Sequence, residues 1–214
     1  MLKPQKVLKV CVFLTCLTPL FLLLTAAAMG NLSANPIKDI TEDTGAWTLR
    51  FLLITLSMTP LRKLAGWNAV IKFRRMVGLF AFFYGFLHLT TYLWLDQFFS
   101  IPDIMHDVLR RPFITAGAAG FALMVPLAVT STRKWISRIG GKRWQLLHRL
   151  VYVSAFAGVV HYVWLVKADI QRPLTYGVLL AILMAYRLFV ALRSRVAPQR
   201  LESGAMLSYS QTHD

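Results

Sequence analysis

Six stretches of this 214-residue chain stay apolar for about twenty residues each, and nothing else in the sequence limits its fold so strongly. They run over 8–29, 46–62, 76–98, 112–131, 144–166 and 173–192. About 20 residues of helix cross the bilayer core, and within lipid a helix satisfies all its backbone polar groups internally. The pattern predicts an all-α integral membrane protein, a six-helix transmembrane bundle. The intervening loops are short and carry no repeat, low-complexity segment or Gly/Ser linker. The chain therefore reads as one transmembrane domain over 1–214, with no room for a separate soluble unit.

Charge orients the bundle. A net charge of +15 accompanies 57% hydrophobic and only 15% charged residues, which excludes a soluble nucleic-acid binder and directs the basic excess to membrane lipids. Lys3, Lys6 and Lys9 precede the first span, and Arg62, Lys63, Lys72, Arg74 and Arg75 follow the second. Arg133, Lys134, Arg138, Lys142 and Arg143 follow the fourth, and Arg193, Arg195 and Arg200 follow the sixth. The alternate loops carry Lys38 against Asp39, Glu42 and Asp43, then Asp96, Asp103 and Asp107 against Arg110 and Arg111, then Lys167, Asp169 and Arg172. Because basic residues are retained on the cytoplasmic side, both termini are expected there. "TAAAMG" (25–30) also resembles a signal cleavage site, but the apolar run before it is long for that role. The first helix is expected to be retained.

Three of five histidines fall inside spans: His88, His148 and His161. An ionisable side chain at bilayer depth is costly unless it serves a purpose. Entering from the cytoplasm at 1.5 Å per residue, His88 lies about 20 Å deep, His161 about 25 Å and His148 in the inner quarter. His88 and His161 match in height. Two neutral imidazoles facing each other are what the iron of a six-coordinate b-type haem requires. Gly85 and Ala81 beside His88, and Gly158, Ala157 and Ser154 beside His161, are expected to provide a flat wall. His148 is out of phase: thirteen residues leave it about 140° from His161 around an ideal helix. That offset predicts either irregular winding near Gly158 or a different neighbour for His148. Cys11 and Cys16, also about 140° apart on one helix, read as small apolar filler. The absence of CxxCH excludes covalently attached haem.

Five ordered strings carry a family resemblance: "NPIKDITEDTG" (35–45), "RRMVGL" (74–79), "LHLTTY" (87–92), "LAVTST" (127–132) and "WQLLHRLVY" with its following "HYVW". Together they resemble the MsrQ family, the haem-binding membrane subunits of a bacterial system that repairs methionine sulfoxide in periplasmic proteins. That family belongs to the ferric-reductase-like transmembrane superfamily, which includes the NADPH oxidases. The superfamily pattern implies two stacked haems held by two histidines on each of two spans. Here the inner partner of His148 is absent, and Arg75 and Arg74 stand thirteen and fourteen residues before His88. The resemblance implies haem b, one or two per chain, and FMN. It also implies electrons from the quinone pool or a cytoplasmic flavin reductase, delivery to the periplasmic molybdopterin-containing subunit MsrP, and residence in the bacterial inner membrane.

The expected function is transmembrane electron transfer, with His88, His161 and secondarily His148 as axial ligands. Arg74 and Arg75 are candidates for a haem propionate or the FMN phosphate. No GxGxxG dinucleotide fingerprint occurs, so reducing power must come from another protein or from the membrane. A proton-coupled transporter with a histidine relay is the competing class. It expects buried carboxylates, and no Asp or Glu lies deep in any span. A non-redox assembly subunit is the third.

Overall fold

The computed structural model describes residues 4–166 and 169–210, with side chains placed over 5–166 and 169–194. Lys3, Lys167 and His213 lie outside the described residues, as do the side chains of Arg195 and Arg200. The described residues are almost entirely helical, and no strand occurs among them. The helices are α1 (Pro4–Ala28), α2 (Pro36–Ala65), α3 (Arg74–Thr90), α4 (Ile101–Arg110), α5 (Pro112–Val129), α6 (Arg133–Ile139), α7 (Gly141–Leu147), α8 (Leu150–Leu165) and α9 (Gln171–Ser210).

Among the described residues, five stretches are long and apolar enough to cross a membrane: Gln5–Ala28, Val70–Asp96, Pro112–Val129, Gly141–Leu165 and Gln171–Ser194. Their outward side chains, among them Phe21, Leu22, Val178 and Ile182, are exposed, as expected where lipid replaces water as the neighbour. α2 falls outside that group, yet it is the centre of the bundle. It buries Leu49, Phe51, Leu52, Leu53, Leu56 and Met58, and its 30 residues span about 45 Å. A helix enclosed by other helices need not be oily all round, so α2 can carry Asp43 in its third turn and Arg50 at its midpoint. Asn35 caps it by accepting from the Lys38 N–H at 3.1 Å, and Gly66 ends it in the left-handed region at φ 69°.

Helix pairing divides the bundle in two. α2 packs along α3, and α5 along α8, while slimmer α3–α5, α2–α8 and α2–α9 contacts join these pairs to each other and to α9. In the α5–α8 seam the Ser154 hydroxyl donates to the Gly120 carbonyl at 2.8 Å, and Ala157 lies against Gly120. Gly85 similarly admits Phe121 and Thr48 against α3. The small residues expected to form a flat wall beside the histidines thus serve close helix approach.

Three departures from the expected spans have local causes. The third is continuous from Val70, and it closes in a π-helical turn over Thr91–Asp96 directly after His88. The acidic third loop contains α4, whose Ile101, Met105 and Leu109 form one exposed apolar stripe at i, i+4, i+8, as on a helix lying in the membrane interface. Asp107 on its other face is buried rather than free for docking: it accepts from Tyr92 Oη and Gln97 Nε2, both at 3.2 Å, and pairs with Arg111 Nε at 3.1 Å. The fifth span breaks at His148–Arg149, between α7 and α8.

α1 is fastened by an inserted hydroxyl. Tyr84, only 1% exposed, donates to the Cys16 carbonyl and accepts from the Leu20 N–H, each at 3.0 Å. Cys16 and Leu20 are four apart, the spacing of a normal helical hydrogen bond, and Pro19 lies between them. The phenol bridges the two groups at the point where Pro19 favours a bend.

Candidate functional site

His88 is in the last turn of α3 and His161 in the last turns of α8, at the end of the bundle where α2 and α5 begin. Their ring centroids are 6.0 Å apart with planes at 81°. Each ring is oriented by the helix beside it. His88 Nδ1 lies 2.8 Å from the Thr41 carbonyl oxygen, and His161 Nδ1 lies 2.6 Å from that of Phe113. A carbonyl can only accept, so both Nδ1 atoms carry the proton and both Nε2 atoms keep a lone pair. Neither Nε2 is bonded to protein among the described residues.

Two neighbouring imidazoles that each keep a free Nε2 lone pair can serve as metal ligands. A metal–imidazole bond is about 2 Å long and a ring nitrogen lies about 1 Å from its centroid, so two rings sharing one metal stand about 6 Å apart. The observed spacing meets that condition. Among the described residues no group of three or more His, Cys, Asp or Glu could hold a bare ion. The pair therefore suits a metal that brings its remaining ligands with it, as iron does in a porphyrin. The carbonyl bonds fix ring orientation and raise nitrogen basicity, the usual contribution of groups behind a ligating histidine.

His148 is at the opposite end. The bonds Arg149 N–H to Leu146 O and Tyr152 N–H to Arg149 O, each 3.0 Å, are i to i+3 links that tighten the chain there. Tightening adds about 20° per residue, so three such residues reduce the ideal offset from His161 from about 140° to about 80°. The irregularity lies at the histidine itself and not near Gly158, which is regular α-helix. His148 stacks on Trp144 with centroids 3.8 Å apart, its Nδ1 is 3.1 Å from the Trp144 carbonyl, and its buried Nε2 has no partner among the described residues. It does not join the other two histidines.

Of the two candidate arginines, Arg75 is exposed and Arg74 is half-buried, reaching Thr59 Oγ1 at 3.5 Å. Arg74 lies within electrostatic range of His148 and of Arg187. Arg187 is the cation that sequence reading missed. It projects from α9 to donate to Tyr152 Oη at 2.8 Å and to the Leu56 carbonyl at 2.7 Å, and its Nε is buried without a partner. An arginine in the middle of an apolar run was its only signal in the sequence.

Residues 44–159 match a family described as "Ferric reductase like transmembrane component". Full-length relatives share about half their residues with the chain. The "Protein-methionine-sulfoxide reductase heme-binding subunit MsrQ" of Herminiimonas arsenicoxydans is 49% identical over 90% of this chain and 89% of its own length. Proteins of the same name from Azospira oryzae and Rhodospirillum rubrum are each 50% identical over 87% of this chain, and over 80% and 90% of their own.

Proposed function

From the chain's membership of the ferric-reductase-like transmembrane family, in its MsrQ branch, we propose that it is the haem-binding electron-transfer subunit of a protein-methionine-sulfoxide reductase. His88 and His161 would hold a b-type haem near the outer face of the membrane. The observation carrying this reading is the 6.0 Å ring separation with both Nδ1 atoms tied to carbonyls. A bound haem supplies reversible one-electron chemistry at its iron. The chain's part is to bind and orient: the two imidazoles set the coordination, and the surrounding helices exclude water and so raise or lower the potential. Neither histidine is required as an acid or base.

The wider arrangement follows the charge pattern and the family. The chain forms one domain of six spans over 1–214, α2 being the sixth, with both termini cytoplasmic in the bacterial inner membrane. Electrons come from the quinone pool or a cytoplasmic flavin reductase and leave to the periplasmic subunit MsrP. FMN enters through the family resemblance alone, and Arg74 is the cation best placed for its phosphate or for a propionate. His148, beside Arg74 and Trp144, is left outside the outer coordination. The transporter alternative expects carboxylates deep in a span; Asp43, half-buried on α2, lies toward that helix's outer end, and Asp107 is paired with Arg111.

The test is optical. Purified wild-type protein is expected to show a Soret band and a dithionite-reduced b-type α band. His88→Ala and His161→Ala are each expected to remove most of it, and His148→Ala to leave most in place. A wild-type preparation without either band, after growth with added haem precursor, would sink the proposal.

A further inference from the structure

The two ligand histidines rest in sockets of the same construction. On α2 the carbonyl that receives His88 belongs to Thr41, and the residue four positions on is Gly45. On α5 the carbonyl that receives His161 belongs to Phe113, and four positions on is Gly117. Residue i+4 in a helix is the one whose N–H approaches carbonyl i, so any side chain there projects across the path by which a neighbouring ring reaches that oxygen. The distances make this concrete. A Cβ on Gly45 would stand 2.9 Å from His88 Nδ1 and 3.0 Å from its Cε1. A Cβ on Gly117 would stand 2.7 Å from His161 Nδ1 and 3.0 Å from its Cε1.

Neither glycine is demanded by the backbone. Both lie inside α-helices, without the positive φ seen at Gly30, Gly66 and Gly140. Glycine is a poor helix former, so alanine would be the better choice at both positions were the rings absent. Gly78 provides the contrast: a Cβ there would meet Thr55 Cγ2 at 3.5 Å and its Oγ1 at 3.8 Å, both ordinary contacts.

We propose that Gly45 and Gly117 are positioning residues that let each axial imidazole donate its Nδ1 proton to the carbonyl one turn earlier, thereby fixing the tautomer and donor strength of both iron ligands. The inference rests on the haem reading and adds to it residues on α2 and α5, helices that supply no ligand. A methyl group at either site must push the ring off its carbonyl. The imidazole then donates less electron density to ferric iron, and the midpoint potential rises.

The test compares Gly45→Ala, Gly117→Ala and Gly78→Ala with wild type by haem retention, potentiometric titration and EPR of the ferric state. The two socket variants are expected to retain haem about 10–100-fold more weakly, the range for losing a hydrogen-bond partner behind a ligating histidine. Their remaining haem is expected to have a more positive potential and altered EPR g values, while Gly78→Ala follows wild type. Socket variants matching Gly78→Ala in all three measurements overturn the proposal. Should a variant fail to fold, ENDOR of the wild type after transfer to D₂O is the substitute: ligand Nδ1 protons held in the sockets exchange slowly, and rapid exchange of both overturns the proposal. Wild type without haem would defeat the haem reading itself, whereas haem-loaded wild type with indifferent glycines defeats only this inference.

Discussion

The angle between the His88 and His161 rings has its own spectroscopic consequence. Each plane is set by a different carbonyl on a different helix, and the result is an 81° crossing. Perpendicular axial imidazoles leave the two iron d orbitals of π symmetry nearly degenerate. Ferric wild-type protein is therefore expected to give a large-gmax, strongly axial low-spin EPR signal, and a rhombic three-line spectrum would mean that the rings rotate on binding. The histidines themselves were legible in the sequence, because depth along a helix can be counted and His88 and His161 matched. Their sockets were not. Gly45 and Gly117 acquire meaning only when a ring from another helix is laid against them, and no spacing within one segment carries that information. Arg187 was hidden for the same reason, its partners being Tyr152 on α8 and Leu56 on α2.

Among the elements, α1 and the α7–α8 break depend most on contacts made far along the chain. Tyr84 supplies both an acceptor and a donor to α1, so Tyr84→Phe leaves Leu20 N–H and Cys16 C=O without the phenol. Removal of one partner from a buried hydrogen bond costs about 1–3 kcal/mol. The variant is expected to melt at lower temperature in detergent with its haem band intact, and an unchanged melting temperature would mean that α1 closes its own hydrogen bond. Since α1 is built into the bundle in this way, mass spectrometry of the purified protein is expected to find residues 5–28 present, and a mature terminus near Gly30 would refute it. The thirteen-residue spacing of His148 and His161 predicted either irregular winding near Gly158 or a different neighbour for His148; His148 stacks on Trp144, and the irregularity falls at 148–149. Glycine at 158 was the conspicuous local candidate, whereas the break falls between a histidine and an arginine that have no special backbone preference.

For the whole molecule, hydropathy identified the helices that meet lipid and undervalued the one that does not. α2 has the weakest apolar character among the long helices between α1 and α9, yet more of the core belongs to it than to any other. Transfer scales measure contact with hydrocarbon, and a helix wrapped by protein is exempt from that test. Three of the strings that carried the resemblance lie at the histidine pair: "TEDTG" includes one socket, and "LHLTTY" and "HYVW" include the candidate ligands. Orientation is open to direct measurement. With both termini cytoplasmic, a membrane-impermeant maleimide added to intact spheroplasts is expected to label Asp103→Cys and spare Arg138→Cys, in a background where Cys16 is buried and the exposed Cys11 is replaced by serine. The reverse pattern would invert the topology.

The division into an α2–α3 pair and an α5–α8 pair also orders events during synthesis. The ribosome releases Thr41, Gly45 and His88 well before Phe113, Gly117 and His161, so one complete half of the coordination exists while the other is still untranslated. On the proposed haem reading, a nascent chain stalled before α8 would hold only one of the two imidazoles, so the site would be complete only once the fifth span has been made.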